Sequence, residues 1–270
     1  MIENLCLIKL GGSIITNTEK SRSARKGAIR RLLKEIKEAK EQASLSIIIG
    51  HGSGSFGHIP AQRYKVNEGL INDESMKGAI ITLNVAKELN RIVTDAGLDM
   101  GLNLFPFSSS SMFMGKSRTI SYGVTQQIEQ AMKSNFVPLV YGDVILDTEK
   151  GVSIASTEEI LRFISMNMKP SKIIFATDVD GVCFSDPKTN KETALIAEIN
   201  SSNIAGIMDN TSTITAKVDV TGGMKSKIAN LYSMVKDTGA TGIILNGQRK
   251  GNLKKALLDR KLKNATYVRP

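Results

Sequence analysis

A chain of 270 residues, 41% of them apolar, can bury a substantial core as one large α/β domain or as two lobes on a continuous sheet. No apolar run approaches the roughly 18 residues that span a bilayer, and no signal peptide is expected before the first strand. The net charge of +10 comes from 36 Lys and Arg against 26 Asp and Glu, spread along the chain with mild concentrations at 20–31 and 249–269 and no Trp. A basic site for polyphosphate ligands on a generally basic surface accounts for that pattern, and no nucleic-acid partner is expected. Two distant cysteines, Cys6 and Cys183, suggest neither a disulfide framework nor a zinc site, so a reducing cytoplasm is the expected compartment.

Leu5–Leu10 reads as a buried strand, a short apolar run closed by Gly11-Gly12-Ser13. A basic helix is expected over 23–42, where Ile29, Leu32, Leu33 and Ile36 repeat at helical spacing. A second buried strand at 45–49 runs into a glycine-rich segment from Gly50 to His58. A long helix is expected over 73–96, capped by Asn72 or Asp73. Further strands are expected at Val137–Tyr141, 172–176 and 242–245, with helices between them. Such alternation predicts a mostly parallel sheet covered on both faces, with Pro170 as a soft boundary between two halves of one continuous domain, 1–170 and 171–270.

Open α/β sheets bind ligands beyond the carboxyl ends of their strands, where helix N-termini present amide groups. Four segments fit that position. In Lys9-Leu10-Gly11-Gly12-Ser13 the glycines suit either a tight turn or the close approach of a phosphate, with Lys9 adding positive charge. Both histidines of the chain, His51 and His58, fall in the second segment. His51 suits a structural role satisfied by backbone, and His58 sits past the glycines, where a ring N–H could reach an anion. Thr177-Asp178-Val179-Asp180-Gly181-Val182 reads equally as a turn stabilised by Asp side chains. The fourth, from Asp219 through Gly222 and Gly223 to Lys227, opens a helix whose first turn would hold Lys227; a cation there opposes the helix dipole and points to a ligand. None matches a P-loop or a dinucleotide fingerprint.

As an ordered set, these segments with Tyr141-Gly142-Asp143-Val144 and Asp186-Pro187-Lys188 resemble the amino acid kinase superfamily over nearly the whole chain. The Gly-Ser-Phe-Gly-His ending at His58 is most like archaeal-type isopentenyl phosphate kinases and their relatives, the fosfomycin kinases. The resemblance implies an open αβα sandwich, a homodimer, an acceptor bound by the N-terminal half, and ATP bound by the C-terminal half. It implies Lys9, His58, Glu158, Lys227 and Lys20 as catalytic residues. Acceptor contacts would come from Gly12, Ser13, Ser53, Gly54, Ser55, Gly142, Asp143 and Thr157 as well as His58. ATP would meet Lys9, Gly11, Gly12, Gly54, Asp178, Asp180, Gly181, Gly222, Gly223 and Lys227. Mg²⁺ would travel with the nucleotide, so no protein metal cage is expected.

Two departures from the family pattern stand out. The family's Thr-Asp-Lys run after the first strand is here Thr16-Asn17-Thr18, with Lys20 two positions late. Its Ser-Gly-Asp-Asp is here Ser156-Thr157-Glu158-Glu159, which also reads as an ordinary helix start. An acceptor with a hydrocarbon tail needs an apolar pocket, for which Ile80, Ile81, Val85, Phe105, Phe107, Met112 and Phe113 are candidates. A kinase for a phosphonate acceptor and a non-catalytic nucleotide sensor are the alternative readings.

Overall fold

Six residues buried on both sides make Leu5–Leu10 (β1) the centre of the molecule. The computed structural model describes residues 2–184, 193–210 and 223–270. Along the first half of the chain follow α1 (Gly12–Ile15), α2 (Lys26–Gln42), β2 (Ser46–His51), α3 (Gly54–Arg63), a 3₁₀ turn (Val66–Glu68) and α4 (Asp73–Asp99). Next come β3 (Leu104–Phe107), α5 (Ser109–Met112), β4 (Phe113–Lys116), β5 (Thr119–Gly123), α6 (Gln126–Lys133), β6 (Val137–Tyr141), β7 (Asp143–Asp147), β8 (Gly151–Ala155) and α7 (Thr157–Met168). The rest is β9 (Lys172–Thr177), β10 (Val182–Cys183), β11 (Leu195–Ile196), β12 (Glu198–Ile199), α8 (Ile204–Asn210), α9 (Gly223–Thr238), β13 (Thr241–Asn246), α10 (Asn252–Leu257) and β14 (Ala265–Val268).

Eight strands form one sheet in the order β12-β14-β13-β9-β1-β2-β6-β3. Its ladders are parallel except β13–β14. The expected halves therefore share one sheet, because β1 pairs directly with β9. Alternation along β1 sends Cys6, Ile8 and Leu10 into a core with Leu32 and Leu33 of α2, Leu89 of α4 and Leu253 of α10. Leu5 and Leu7 face the other way, packing with Ile160 and Ile164 of α7 and Ile228 and Leu231 of α9. This is the expected αβα sandwich, and the same parity turns Lys9 towards α7 and α9.

A second sheet, β5-β4-β7-β8, was not foreseen in the sequence. Its strands are four or five residues long and half polar, too short for a clear alternating signal. Buried Asp147 holds its turns by accepting from the amides of Ser117, Arg118, Glu149 and Lys150. Against the cost of burial, these bonds keep its carboxyl at about 2.

Helix α2 starts at Lys26 rather than 23. Residues 23–25 pair instead with the segment after β1, through a Thr16–Ala24 bridge and bonds from Asn17 N to Ser23 O and Arg25 N to Ile15 O. Helix α4 starts as expected on Asn72, which with Ser75 forms a reciprocal capping box. It runs three residues further than expected, to Asp99. Among the described residues no helix is long and apolar enough to cross a membrane.

Candidate active site

The carboxyl ends of β1, β2, β6 and β9 open on a cleft of about 690 Å³, completed by α3, α4 and the start of α7. Lys9, Gly11, Gly12, Ser13, Ser53, Gly54, Ser55, His58, Gly142, Asp143, Thr157, Glu158 and Lys227 all line it. The fold thus gathers segments that lie up to 218 positions apart, from Lys9 to Lys227 (227 − 9).

The first two glycine-rich loops are built against each other. A Cβ on Gly12 would stand 2.7 Å from Gly54 Cα, and one on Gly54 would stand 2.2 Å from Thr16 Oγ1. Gly54 also has φ +47, a conformation that favours glycine. Thr16 Oγ1 donates to Gly12 O at 2.8 Å and accepts from Ser55 N at 3.1 Å. These glycines are therefore required by loop-to-loop packing, whatever the cleft holds. The packing points the starts of α1 and α3 into one cleft, and first-turn amides have no carbonyl within their own helix.

His58 lies on α3, in the second turn, rather than on a loop. His51 ends β2 and is wholly buried, with Nδ1 3.2 Å from Gly52 O, Nε2 3.1 Å from Asn90 Oδ1, and its ring stacked on Tyr141. Burial holds its pKa below the ordinary histidine value, so the ring is neutral. A neutral ring donates once, which requires Asn90 to turn its NH₂ group to the second nitrogen.

Lys9 and Glu158 form a buried ion pair, with side chains 8% and 9% exposed. Lys9 Nζ also stands 5.6 Å from the centre of the Phe175 ring. Burial alone would push the Glu158 carboxyl up, but the Lys9 ammonium and then Lys227 hold it below the usual range. Lys227 is the fifth residue of α9, one position past the expected first turn, and reaches back towards Gly223 O at 3.4 Å. The three side chains place two cations and one anion on the floor of the cleft.

Thr157, at the start of α7, is an internal clasp. Its hydroxyl donates to His51 O at 2.8 Å and accepts from Gly142 N at 3.0 Å, tying β2, β6 and α7 together. The Gly142 amide is thereby engaged by protein, shared with His51 O at 3.2 Å. Ser156 caps the helix through a bond from Glu159 N, and Glu159 also accepts from Ile120 N at 2.6 Å. Three buried side-chain atoms lack a partner among the described residues. Two of them, Ser55 Oγ and Asp143 Oδ2, belong to residues of this cleft.

Several expected site residues lie elsewhere. Lys20 is exposed outside the cleft lining, on the excursion that the pairing of 15–17 with 23–25 throws out; Thr18 is the residue of that excursion on the cleft wall. Asp178, Asp180 and Gly181 follow β9 but do not line the cleft, although Thr177 does. Asp180 is paired with Arg249 and accepts from Asn246, and a Cβ on Gly181 would meet Thr266 Oγ1 at 2.5 Å. Gly223 is buried at the start of α9, outside the lining. Gly222, the stretch from Asp219 that precedes it, and Asp186-Pro187-Lys188 lie outside the described residues.

None of the tail-pocket candidates lines the cleft. Val85, Phe107 and Phe113 are core, Met112 and Ile81 are half-buried, and Ile80 and Phe105 are exposed on the outer surface. The apolar wall is instead Ile59, Ala61, Ala86, Ile154 and Ala155, with Thr82. Thr82 and Ala86 are one turn apart on α4, and a ligand pocket on a packed helix needs small side chains rather than large ones. That i, i+4 pair of small residues was the available signal.

Residues 4–246 match the model of the amino acid kinase family. The chain belongs to this family. It is 32% identical to the isopentenyl phosphate kinase of Methanothermobacter thermautotrophicus over 261 residues, covering 94% of this chain and 95% of that protein. It is also 32% identical to the enzyme of the same name from Methanocaldococcus jannaschii, over 263 residues and the same shares. A solved isopentenyl phosphate kinase structure superposes with a TM-score of 0.81 at 28% identity, covering 98% of this chain and 99% of the other. Family membership agrees with the sandwich fold and with the ordered loops that line the cleft.

Proposed function

We propose that this chain transfers the terminal phosphoryl group of ATP to isopentenyl phosphate, giving isopentenyl diphosphate. The observation that carries the reading is the convergence of Lys9, Lys227 and His58 on one cleft with a small-residue apolar wall, in a chain matched over 94% of its length by isopentenyl phosphate kinases. An acceptor monoester, with a second pKa near about 6, is already a nucleophilic dianion at neutral pH, so no general base is needed. Alignment and neutralisation suffice. Lys9, fixed by Glu158, and Lys227 neutralise the transferring group, while amides at the starts of α1 and α3 orient phosphate oxygens. His58 binds the acceptor phosphate, and Ile59, Ala86 and Ile154 cover its tail. Bound with the nucleotide, Mg²⁺ would add charge neutralisation across the phosphates. The acidic residues of the cleft are a poor cage for it, since Glu158 is paired and Glu159 is bonded by Ile120 N.

This reading takes the protein as a cytoplasmic homodimer. An exposed apolar row of Tyr122, Met114 and Leu146, paired across β5, β4 and β7, offers a surface for a second copy.

Steady-state kinetics with ATP and isopentenyl phosphate test the reaction. In that assay His58→Ala should raise the acceptor KM by roughly 10- to 100-fold, the worth of one charge-assisted hydrogen bond, while ATP binding holds. An unchanged acceptor KM would remove His58 from the site. Ala86→Leu, which fills the apolar wall, should raise the acceptor KM about tenfold or more and leave nucleotide affinity intact. Equal loss of both affinities would place the tail elsewhere.

A further inference from the structure

Asp143 is 2% exposed, yet it belongs to the cleft wall. Its Oδ1 accepts from the amide of Val144 at 2.9 Å, the Ser110 hydroxyl stands beside the carboxyl, and Oδ2 has no partner within hydrogen-bond distance among the described residues. A buried carboxylate oxygen without a donor is strongly disfavoured. The residue stands at the start of β7, next to Gly142 of the Thr157 clasp, and α4 packs across that strand with Thr82 and Ala86 on the apolar wall. An orphaned carboxyl at such a point has one chemical use towards a phosphate monoester. It can act there only while protonated, as a hydrogen-bond donor.

We propose that Asp143 is a specificity-determining residue that meets the acceptor in its neutral form, its Oδ2–H donating to an oxygen of the acceptor phosphate. The inference rests on the phosphate acceptor proposed above. An ionised Asp143 would set a bare negative charge beside a dianion, whereas the protonated acid supplies the donor that phosphate oxygens take. Selection against acceptors with a cationic or donor-only head follows from the same geometry.

The surroundings keep the carboxyl about half protonated at neutrality. Burial pushes the Asp143 carboxyl up to about 7, opposed only by the Val144 amide, the Lys87 ammonium of α4 and the neighbouring Ser110 hydroxyl of α5. Tyr141, at the end of β6, is itself pushed up by burial and stays neutral. The other strands beside β7 bring only Lys116 of β4, which is paired with Glu149. Elsewhere in the cleft, among the described residues, the charge of Glu158 is met by Lys9 and Lys227, Glu159 is raised by burial, and His58 lines the wall.

The test compares wild type, Asp143→Asn and Asp143→Ala. With saturating ATP, the wild-type KM for isopentenyl phosphate should rise by about tenfold for each pH unit above about 7, as one proton is lost. Asp143→Asn keeps a neutral donor, so it should keep a low KM and lose that alkaline rise. Asp143→Ala should have a raised KM at every pH. An alkaline rise that persists in Asp143→Asn, or equal weakening in both variants, would overturn the proposal. Only the difference between wild type and Asp143→Asn is diagnostic.

A second measurement does not depend on turnover. Calorimetry with inorganic phosphate at about pH 8, in buffers of different ionisation enthalpy, should show proton uptake by wild type and none attributable to this site in Asp143→Asn. Identical uptake would contradict the role. Absence of any turnover with isopentenyl phosphate would sink the proposed reaction alone, and the calorimetric result would still decide the role of Asp143. Stability gives the sign independently. A carboxyl raised in the folded state stabilises it at low pH, and that contribution is lost as pH climbs from about 4 through about 7, so the melting temperature of Asp143→Asn relative to wild type should climb over that interval and level off above it.

Discussion

Lys9→Ala is expected to lower kcat by on the order of 10³-fold and to destabilise the fold at the same time. The two losses have separate causes. Lys9 sits on the face of β1 that looks at α7 and α9, where its ammonium meets Glu158 and shares the cleft with Lys227. A preorganised cation in so buried a place stabilises charge developing on the transferring phosphoryl far more than it would in water. Removing it also strands Glu158, whose carboxyl is held ionised chiefly by Lys9. Breaking a buried pair from one side costs about 3–5 kcal/mol, whereas replacing both partners by apolar groups is often neutral. Lys9→Met combined with Glu158→Met should therefore regain stability and remain inactive. Thermal melts and single-turnover rates on the three proteins separate the effects. If Lys9→Ala turned over within about tenfold of wild type, Lys9 would have no place in the transfer.

Thr18→Lys is expected to raise kcat, by roughly 10- to 100-fold, the worth of one added charge-assisted hydrogen bond made in the transition state. Thr18 is on the cleft wall, while Lys20 is exposed on the excursion beyond it. Among the described residues, the wild-type cleft thus draws its ammonium groups from Lys9 and Lys227. A lysine at position 18 would bring a third ammonium to the same space. A rise in ATP affinity with kcat unchanged would mean that the new charge binds ground and transition states alike. Lys20→Ala gives the complementary control, with turnover close to wild type. A loss as large as that of Lys9→Ala would instead bring Lys20 into the mechanism and undo the argument for Thr18.

The legible parts of the sequence were those governed by short-range rules. Apolar runs such as Leu5–Leu10 and Val137–Tyr141 were bounded without error because buried parallel strands read as continuous hydrophobic stretches. Asn72 announced α4 through ordinary capping chemistry. Lys9, His58 and Lys227 stand out as polar residues in or beside glycine-rich segments, whereas Glu158 is singled out only by the family resemblance; all four line the cleft. What failed depended on packing between distant segments. The pairing of Thr16 with Ala24, which shortens α2 and carries Lys20 away, has no local signature. Gly12 and Gly54 looked like phosphate contacts, and their near collision shows a requirement set by the two loops themselves. Large apolar residues offer themselves for the tail pocket because hydrophobicity is visible in a sequence. Empty space is not, and it was Thr82 and Ala86 that made it.

The most direct test is an acceptor comparison with ATP and Mg²⁺, measuring kcat/KM for isopentenyl phosphate, other short alkyl monophosphates, fosfomycin and amino acids such as acetylglutamate. The predicted result is turnover of isopentenyl phosphate far above fosfomycin and the amino acids, with diphosphate and ADP formed in equal amounts. Efficient phosphorylation of a carboxylate or phosphonate acceptor in its place, or ATP binding without turnover of any acceptor, would contradict the account.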